Sequence, residues 1–248
     1  MSKYTVLITS AVYSNYGIYT PQQRIQQTLD TAKSARKYIP DATLILVDNS
    51  KVDVQNDDSP EFNELIDIVD YYIDNSNDTD IKHFHASVTN YDIGKNSMEC
   101  LGLYKALSHI VQDTELKNIV ESSRQVFKLS GRYVVTDKFD LSKFDNADTK
   151  GKFVFKKRQP SWIPEADTGV DHLLQTRLWS FPTEDNGVVD VLNIFQSIIN
   201  NMFNTFNTGK YIDVEHSMAK FIPKDKLVEL DTVGLQGNIA PNGMMIID

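Results

Sequence analysis

Two cationic side chains interrupt a short apolar run near the middle of the chain. The run Phe127-Lys128-Leu129-Ser130-Gly131-Arg132-Tyr133-Val134-Val135 has the composition of a strand with Ser-Gly near its centre. An unpaired charge that faces a protein core costs several kcal/mol, and a glycine inside a strand usually marks a bulge or a close approach of backbone. We therefore predict a strand over 125–135 that leaves the core at a phosphate-binding crevice, with Lys128 or Arg132 facing the ligand.

The same residues also fit an edge strand. On an edge strand the side chains of Lys128 and Arg132 would simply face water and keep neighbouring chains from pairing. The residue types alone leave both interpretations open, and they differ in whether an anion belongs beside the strand.

A candidate ligand-binding carboxylate follows a strand–helix–strand unit at the start of the chain. Residues 5–12 are β-branched or apolar on both faces, which is typical of a strand covered by helices on each side. Thr20-Pro21 predicts the start of a helix over 21–39, and 42–47 read as a second buried strand. Ligands of open α/β sheets bind beyond the carboxyl ends of the strands, so Asp48 is placed to bind a base or ribose. A turn or helix-capping role is the alternative for Asp48.

Later elements complete the pattern of an α/β domain. Gly94-Lys95-Asn96-Ser97 precedes a predicted helix over 97–112, whose free backbone N–H groups would attract an anion beside Lys95. Residues 152–158 read as a strand that ends in three cations, and 173–181 read as a strand paired with it. The clearest helical periodicity covers 186–206, and a short helix opens at Asp213-Val214-Glu215-His216.

Bulk properties restrict the class of protein. A chain of 248 residues with 41% hydrophobic content can bury one sizeable core, so we expect a single domain over 1–248. The net charge of -9 argues against nucleic acid as a partner. Cys100 is the only cysteine, which favours a reducing compartment. We see no signal peptide and no transmembrane segment, and we expect a cytoplasmic protein.

Three further patterns could contribute to a metal or sugar site. Asp78-Thr79-Asp80 is a literal D-x-D, but it lies in a loop rich in Asp and Asn where such matches arise by chance. His83 and His85 alternate as on one face of a strand, without a third metal ligand nearby. Trp162 and Trp179 could stack on a sugar ring, although large aromatic residues more often lie in the core.

The segment Lys-Leu-Ser-Gly-Arg-Tyr at 128–133 resembles a motif of phage, giant-virus and bacterial surface-polysaccharide glycosyltransferases of the GT-A type. In that group the motif lies on the strand that ends beside the nucleotide-sugar. Val47-Asp48-Asn49-Ser50 is similar to the Val-Asp-Asp-Gly-Ser strand ending of the same enzymes, and 94–107 resembles the helix before their metal-site strand. The resemblance implies a mixed, mainly parallel sheet flanked by helices, with a nucleotide-binding half at 1–125 and an acceptor-side half at 126–248.

The resemblance also implies roles for individual residues. Glu215 would be the catalytic base toward the acceptor hydroxyl, with Asp213 as second choice, although acidic residues also favour a helix N-terminus for structural reasons. The residues expected to bind the nucleotide-sugar are Asp48, Lys95, Lys128, Ser130, Gly131 and Arg132.

The chain departs from the family where a metal would bind. Ser130-Gly131-Arg132 occupies the position of the acidic metal-binding pair, and a cation can neutralise the departing diphosphate as a metal would. The D-x-D at 78–80 comes before the place that the family uses. A requirement for Mn²⁺ or Mg²⁺ is therefore open, with Asp137 and His216 as weak candidate ligands.

The predicted reaction is transfer of a sugar from a nucleotide-diphospho-sugar to a glycan acceptor, and two alternatives remain. A nucleotidyltransferase of similar sheet topology would release pyrophosphate and should carry a Gly-rich loop after the first strand, where residues 10–18 contain only Gly17. A non-catalytic carbohydrate-binding or virion-associated protein would need neither a base nor phosphate-binding cations.

Overall fold

A seven-stranded sheet organises the molecule. The computed structural model describes residues 3–14, 16–52, 57–184, 187–239 and 242–248. The strands are β1 (Tyr4–Ser10), β2 (Ala42–Asp48), β3 (Tyr71–Asp74), β4 (Gln125–Ser130), β5 (Tyr133–Val135), β6 (Phe153–Lys156), β7 (Gln159–Pro160), β8 (His172–Leu173), β9 (Leu178–Phe181), β10 (Leu227–Leu230), β11 (Leu235–Asn238) and β12 (Met245–Ile247). The helices are α1 (Pro21–Tyr38), α2 (Pro60–Ile68), α3 (Thr79–Ser87), α4 (Tyr91–Gln112), α5 (Thr114–Ser122), α6 (Glu165–Thr168), α7 (Gly187–Asn207) and α8 (Val214–Phe221), with 3₁₀ turns at Leu141–Lys143 and Lys224–Lys226.

The strand order of the central sheet is β10-β6-β9-β4-β1-β2-β3. β1 pairs in parallel with β2 and β4, β2 with β3, and β6 with β10, whereas β9 is antiparallel to both β4 and β6. Two small antiparallel sheets, β12-β11-β5 and β7-β8, flank it. The predicted mixed, mainly parallel sheet between helices is confirmed.

Each face of the sheet has its own hydrophobic core. Leu7 of β1 packs into the core formed with α4, α5, α7 and α8. Val6 and Ile8 point the opposite way, into the core formed with α1 and α2. Successive residues of a strand face opposite sides of a sheet, so burial on both sides explains the unbroken apolar runs at 6–8 in β1 and 44–47 in β2.

The predicted strand over 125–135 is two strands. β4 ends at Ser130, and Gly131 adds one more ladder contact by donating its N–H to the carbonyl of Thr9 (2.8 Å). The N–H of Arg132 then turns back to the carbonyl of Ser130 (2.8 Å), a tight turn of three residues. After this turn β5 leaves the central sheet and pairs with β11. The break places Arg132 at the end of β4 instead of inside a continuous strand.

Three helices differ from the prediction. α4 begins at Tyr91, because Asn90 caps it by accepting the N–H of Ile93 (3.1 Å), so Lys95 lies inside the helix and not before its first turn. The predicted anion seat at that N-terminus was therefore wrong. His83 and His85 lie on α3 and not on a strand. α5 was missed by the sequence analysis.

Within the described ranges, no helix combines the length and apolar character needed to cross a bilayer.

The two tryptophans have different environments. Trp179 on β9 is buried, and its ring stacks on Phe155 with centroids 5.1 Å apart and on Phe195 at 6.2 Å. Trp162, in the loop after β7, has 68% of its surface exposed. Trp179 therefore belongs to the core, while Trp162 stays a candidate platform for a sugar ring.

Replacing Trp179 with Ala should lower the free energy of unfolding by about 3–5 kcal/mol, because the cavity removes three aromatic contacts from the core. Trp162→Ala is the matched control, and it should lower the same quantity by only about 1 kcal/mol, because the ring is mostly exposed and its contacts with Tyr211 and His216 are at the surface of the ring. Urea unfolding followed by circular dichroism measures both. Equal losses in the two variants would contradict the packing described here.

Candidate functional site

The carboxyl ends of the parallel strands β1, β2 and β4 lie side by side, and we call this side of the sheet its carboxyl edge. Ser10 of β1 is in register with Asp48 of β2, and Thr9 of β1 with Ser130 of β4. A cleft opens at this edge, which we call the edge cleft. Its lining residues are Thr9, Ser10, Ala11, Ser14, Tyr16, Arg24, Asn49, Lys95, Met98, Glu99, Ser130 and Arg132. This is the edge at which ligands bind in open α/β sheets.

Three cations converge on the edge cleft. Arg24 comes from α1, Lys95 from α4 and Arg132 from the turn after β4. In the part of the chain that the structure describes, none of the three forms an ion pair with a carboxylate. The cleft therefore carries local positive charge on a protein whose net charge is -9.

Arg24 is the more unusual of the two arginines because it is 5% exposed. Its guanidinium donates to the backbone carbonyls of Ala11 (3.0 Å) and Tyr16, but its Nε has no hydrogen-bond partner among the residues that the structure describes. Burial, together with the nearby charge of Arg132, lowers the pKa of Arg24 to about 10. The Nε of Arg132 is also buried, and it too has no partner within the described ranges. Buried donors without partners are costly, so both arginines point to an anionic ligand.

Gly131 lies where α1 and β1 approach the end of β4 closely. A Cβ on Gly131 would lie 3.1 Å from both the carbonyl oxygen of Thr9 and the Oγ1 of Thr28, so a side chain would need its neighbours to shift by a few tenths of an ångström. Thr28 lies one turn after Arg24 on α1. The glycine therefore fits the tight packing beside Arg24 and Arg132.

Two further glycines bring α4 against the cleft. A Cβ on Gly94 would lie 2.2 Å from the Oη of Tyr16, and one on Gly102 would lie 2.2 Å from the Cγ of Asn49. Both glycines lie on one face of α4, eight residues apart. The residues of this face that line the cleft between them are Lys95, Met98 and Glu99. The spacing of these glycines was a signal that the sequence analysis did not use.

Lys128 is buried beneath the cleft and does not line it. Its ammonium donates to the Oε1 of Glu99 (2.5 Å), to the Oγ of Ser130 (2.8 Å) and to the carbonyl of Thr176 (2.8 Å). These three bonds use all the donors of an ammonium. Lys128 thus holds Glu99 and Ser130 in place, and a direct contact with a diphosphate would require it to release one of them.

Asp48 is also buried, and both of its carboxylate oxygens accept backbone hydrogen bonds. Val12 N–H donates to Oδ1 (3.1 Å) and Ser50 N–H to Oδ2 (3.2 Å). Burial raises the pKa of Asp48 to about 6, although these hydrogen bonds oppose the shift. Asp48 fixes the loops after β1 and β2, and its neighbour Asn49 lines the cleft. Direct contact between Asp48 and a nucleotide stays a prediction.

The acidic residues at the start of α8 take different positions. Asp213 caps α8, and its Oδ1 accepts the backbone N–H (2.9 Å) and the Nδ1 (2.6 Å) of His216. Glu215 is half-buried. Burial, the charge of Asp213 and the charge of Glu99 together raise the pKa of Glu215 to about 7. Glu215 thus changes protonation near neutral pH, as a general base should, whereas Asp213 is committed to the helix.

The candidate metal ligands do not come together. His216 is buried with Asp213 at one ring nitrogen and Ser161 at the other, and Asp137 is exposed after β5. Asp78 caps α3 and shares Lys105 with Asp80 at 3.0 and 2.5 Å. Within the described ranges no group of three or more His, Cys, Asp or Glu could hold a metal ion. The resemblance places the metal at the end of β4. The chain has the cation Arg132 there, so the residues at that position do not fit a divalent metal ion.

Comparison with known proteins places this geometry in a known fold. No family model and no curated protein matches the chain. Among solved structures, the chain is similar to the apo structure of WbbM, a bifunctional glycosyltransferase, with TM-score 0.53 and 12% identity over 92% of this chain. It is also similar to the galactosyltransferase LgtC in complex with donor and acceptor sugar analogues, with TM-score 0.51 and 11% identity over 91% of this chain. The chain has a GT-A fold. It spans 39% of the WbbM chain and 72% of the LgtC chain.

The fold that the resemblance implies is confirmed. Sequence identities of 12% and 11% show a shared fold and nothing finer. The roles of individual residues therefore depend on the geometry of this chain. That geometry adds Arg24 and Glu99, which the sequence analysis missed. Arg24 is buried on α1 because it faces the cleft at the sheet edge.

Lys128→Met should lower the free energy of unfolding by about 3 kcal/mol, because it leaves the carboxylate of Glu99 without its buried partner. The double variant Lys128→Met with Glu99→Gln removes both charges and should recover at least half of that loss. Urea unfolding of the wild type, the two single variants and the double variant gives the coupling energy. Additive losses in the double variant would show that the two side chains do not interact.

Proposed function

We propose that the protein is a glycosyltransferase that moves a sugar from a nucleotide-diphospho-sugar to a glycan acceptor. The observation that carries the proposal is the convergence of Arg24 and Arg132 on the cleft at the carboxyl ends of β1 and β4, where neither pairs with a carboxylate of the described residues. Two guanidinium groups in one cleft repel each other, and a ligand with at least two negative charges offsets that repulsion. A diphosphate has this charge, and Lys95 supplies a third cation.

The GT-A fold gives this anion site its chemical context. Negative charge builds on the diphosphate as the bond to the sugar breaks, and cations fixed around it stabilise the transition state more than the ground state. Arginine can bind two phosphate oxygens at once. Ser130 also lines the cleft, and because its oxygen accepts from Lys128, its hydroxyl proton is available to a phosphate. We therefore propose transfer that needs no metal ion.

Glu215 is the proposed base. A sugar hydroxyl is a poor nucleophile until its proton is being removed, and Glu215 titrates close enough to neutral pH to remove it. Direct in-line attack by the acceptor would invert the anomeric configuration.

Asp48 supports the nucleotide by holding the loops after β1 and β2. The resemblance to surface-polysaccharide enzymes makes a surface glycan the proposed acceptor.

A thermal-shift panel with UDP, GDP and CDP, each with Mn²⁺ or with EDTA, tests the donor site. We expect at least one nucleoside diphosphate to stabilise the protein equally with Mn²⁺ and with EDTA, by about 2.7 kcal/mol at 100 times its dissociation constant. Arg132→Ala should remove most of the shift, because it removes one of the two unpaired guanidiniums. Arg124→Ala is the matched control, since Arg124 precedes β4 at the opposite end of the strand and pairs with Asp145.

Several outcomes would contradict the proposal. A stabilisation that requires Mn²⁺ would disprove metal-independent binding. A response to nucleoside triphosphates with release of pyrophosphate would indicate a nucleotidyltransferase. A protein that binds glycans and no nucleotide would be a carbohydrate-binding protein.

The pH dependence of activity tests Glu215. Because its pKa is raised to about 7, the carboxylate is protonated and inactive as a base at lower pH. We expect kcat/KM for release of nucleoside diphosphate to rise about tenfold per pH unit below pH 7 and to level off above it. Glu215→Gln should lower kcat by about 100-fold or more while nucleoside diphosphate still binds.

The control variant for this experiment changes an exposed carboxylate. Glu165→Gln, on the exposed helix α6, should leave the profile unchanged. Comparison of the wild type with Glu215→Gln also separates Glu215 from Asp48, whose pKa is about 6. If Glu215→Gln keeps the inflection near pH 7, another group is the base.

A further inference from the structure

Glu99 is a fixed carboxylate in the edge cleft that the proposed reaction does not use. It lies on α4, lines the cleft, and keeps 25% of its side chain exposed. Its Oε1 is held by the ammonium of Lys128 at 2.5 Å, with the hydroxyl of Thr176 at 3.5 Å. Its Oε2 has no hydrogen-bond partner among the residues that the structure describes. One half of the carboxylate is therefore anchored and the other half is available to a ligand.

The charge state of Glu99 differs from that of its neighbour Glu215. Burial alone would raise the pKa of Glu99, but the charge and hydrogen bond of Lys128, with the charges of Lys95 and Arg132, hold that pKa below its usual value. Glu99 is therefore ionised at neutral pH. An ionised carboxylate only accepts hydrogen bonds, so its ligand must present donors.

The position of Glu99 selects which part of a donor substrate it meets. Glu99 follows Lys95 by one helical turn on the same face of α4, and it forms no ion pair with Arg24 or Arg132. A diphosphate held by the cations would be repelled by a carboxylate in direct contact. The sugar, joined to the outer phosphate, is neutral and carries hydroxyl donors, so it is the part that can lie against Oε2.

We propose that Glu99 binds a hydroxyl group of the donor sugar through its Oε2 and so selects donors in which that hydroxyl is free. The anchoring by Lys128 makes the contact stereospecific, since the carboxylate cannot follow a displaced hydroxyl. Donors in which that position is deoxygenated or substituted are discriminated against, because a buried charged acceptor would lose its partner. This inference rests on the proposed function of the edge cleft.

Isothermal titration of the wild type and of Glu99→Gln tests the proposal. The probes are UDP, GDP and CDP, each beside UDP-glucose, GDP-mannose and CDP-glucose, with analogues of the best sugar in which each hydroxyl in turn is replaced by fluorine. We expect Glu99→Gln to bind the nucleoside diphosphate within about twofold of the wild type and the nucleotide-sugar at least about tenfold more weakly. One fluorinated analogue should bind the wild type about tenfold more weakly than the parent sugar and bind Glu99→Gln no worse than the parent.

Two further variants protect the test against a folding defect. Glu99→Gln leaves Lys128 as a buried unpaired cation, so the double variant Glu99→Gln with Lys128→Met is titrated in parallel, and both should lose affinity for the sugar alone. Glu99→Asp keeps the charge but shortens the side chain, and it should lose the same sugar contact while it keeps the affinity for the nucleoside diphosphate.

The outcomes separate this inference from the proposed function. If no nucleoside diphosphate or nucleotide-sugar binds the wild type, the proposed function fails, and this inference fails with it. If the nucleotides bind and the folded Glu99 variants retain the wild-type ratio of nucleotide-sugar to nucleotide affinity, the role of Glu99 alone is overturned.

Discussion

The edge cleft depends on one buried ammonium group. Lys128 connects three parts of the chain that are distant in sequence, because its donors reach Glu99 on α4, Ser130 at the end of β4 and the backbone carbonyl of Thr176 before β9. Desolvating a lysine this completely costs several kcal/mol, which only full hydrogen bonding and a paired carboxylate can offset. Burial of Lys128 therefore depends on all three partners, and together they form the floor of the edge cleft.

The cations above this floor have the opposite property. Arg24 and Arg132 lie together where α1 and β1 approach the end of β4, and neither forms an ion pair with a carboxylate in the part of the chain that the structure describes. An arrangement that leaves buried donors unsatisfied lowers the stability of the free protein, and such arrangements are characteristic of binding sites. The contrast between the satisfied Lys128 and the unsatisfied arginines distinguishes the structural cation of this site from the two that we propose bind the ligand.

Much of the fold could be predicted from the sequence. Strands buried on both sides show as continuous apolar runs, so β1 and β2 were recognised, and Thr20-Pro21 marked the start of α1. The break in the central strand was not predicted. Its causes are the three-residue turn at Gly131 and the pairing of β5 with β11, a strand about one hundred residues later in the chain. α4 was predicted to begin too late because Asn90, its cap, was not recognised.

The candidate site was harder to predict because its members are defined by contact and not by pattern. Arg132 was identified from its place beside Ser-Gly, and it lines the cleft. Lys128, from the same motif, is buried beneath the cleft instead, because Glu99, Ser130 and the carbonyl of Thr176 hold its ammonium. Glu99 and Arg24 could not be found from local sequence, since what makes each of them notable is a partner, or a missing partner, on another element.

The edge cleft lies between the two helix layers, so a ligand bound there would have a mechanical effect on the protein. Arg24 belongs to the helix layer on one side of the sheet, Lys95 to the layer on the other side, and Arg132 to the sheet between them. An anion held by all three would join the two helix layers and the sheet directly. Occupancy of the cleft would thus stiffen the molecule across its full thickness, and amide protons in α1 and α4 would become protected together although the two helices lie on opposite faces.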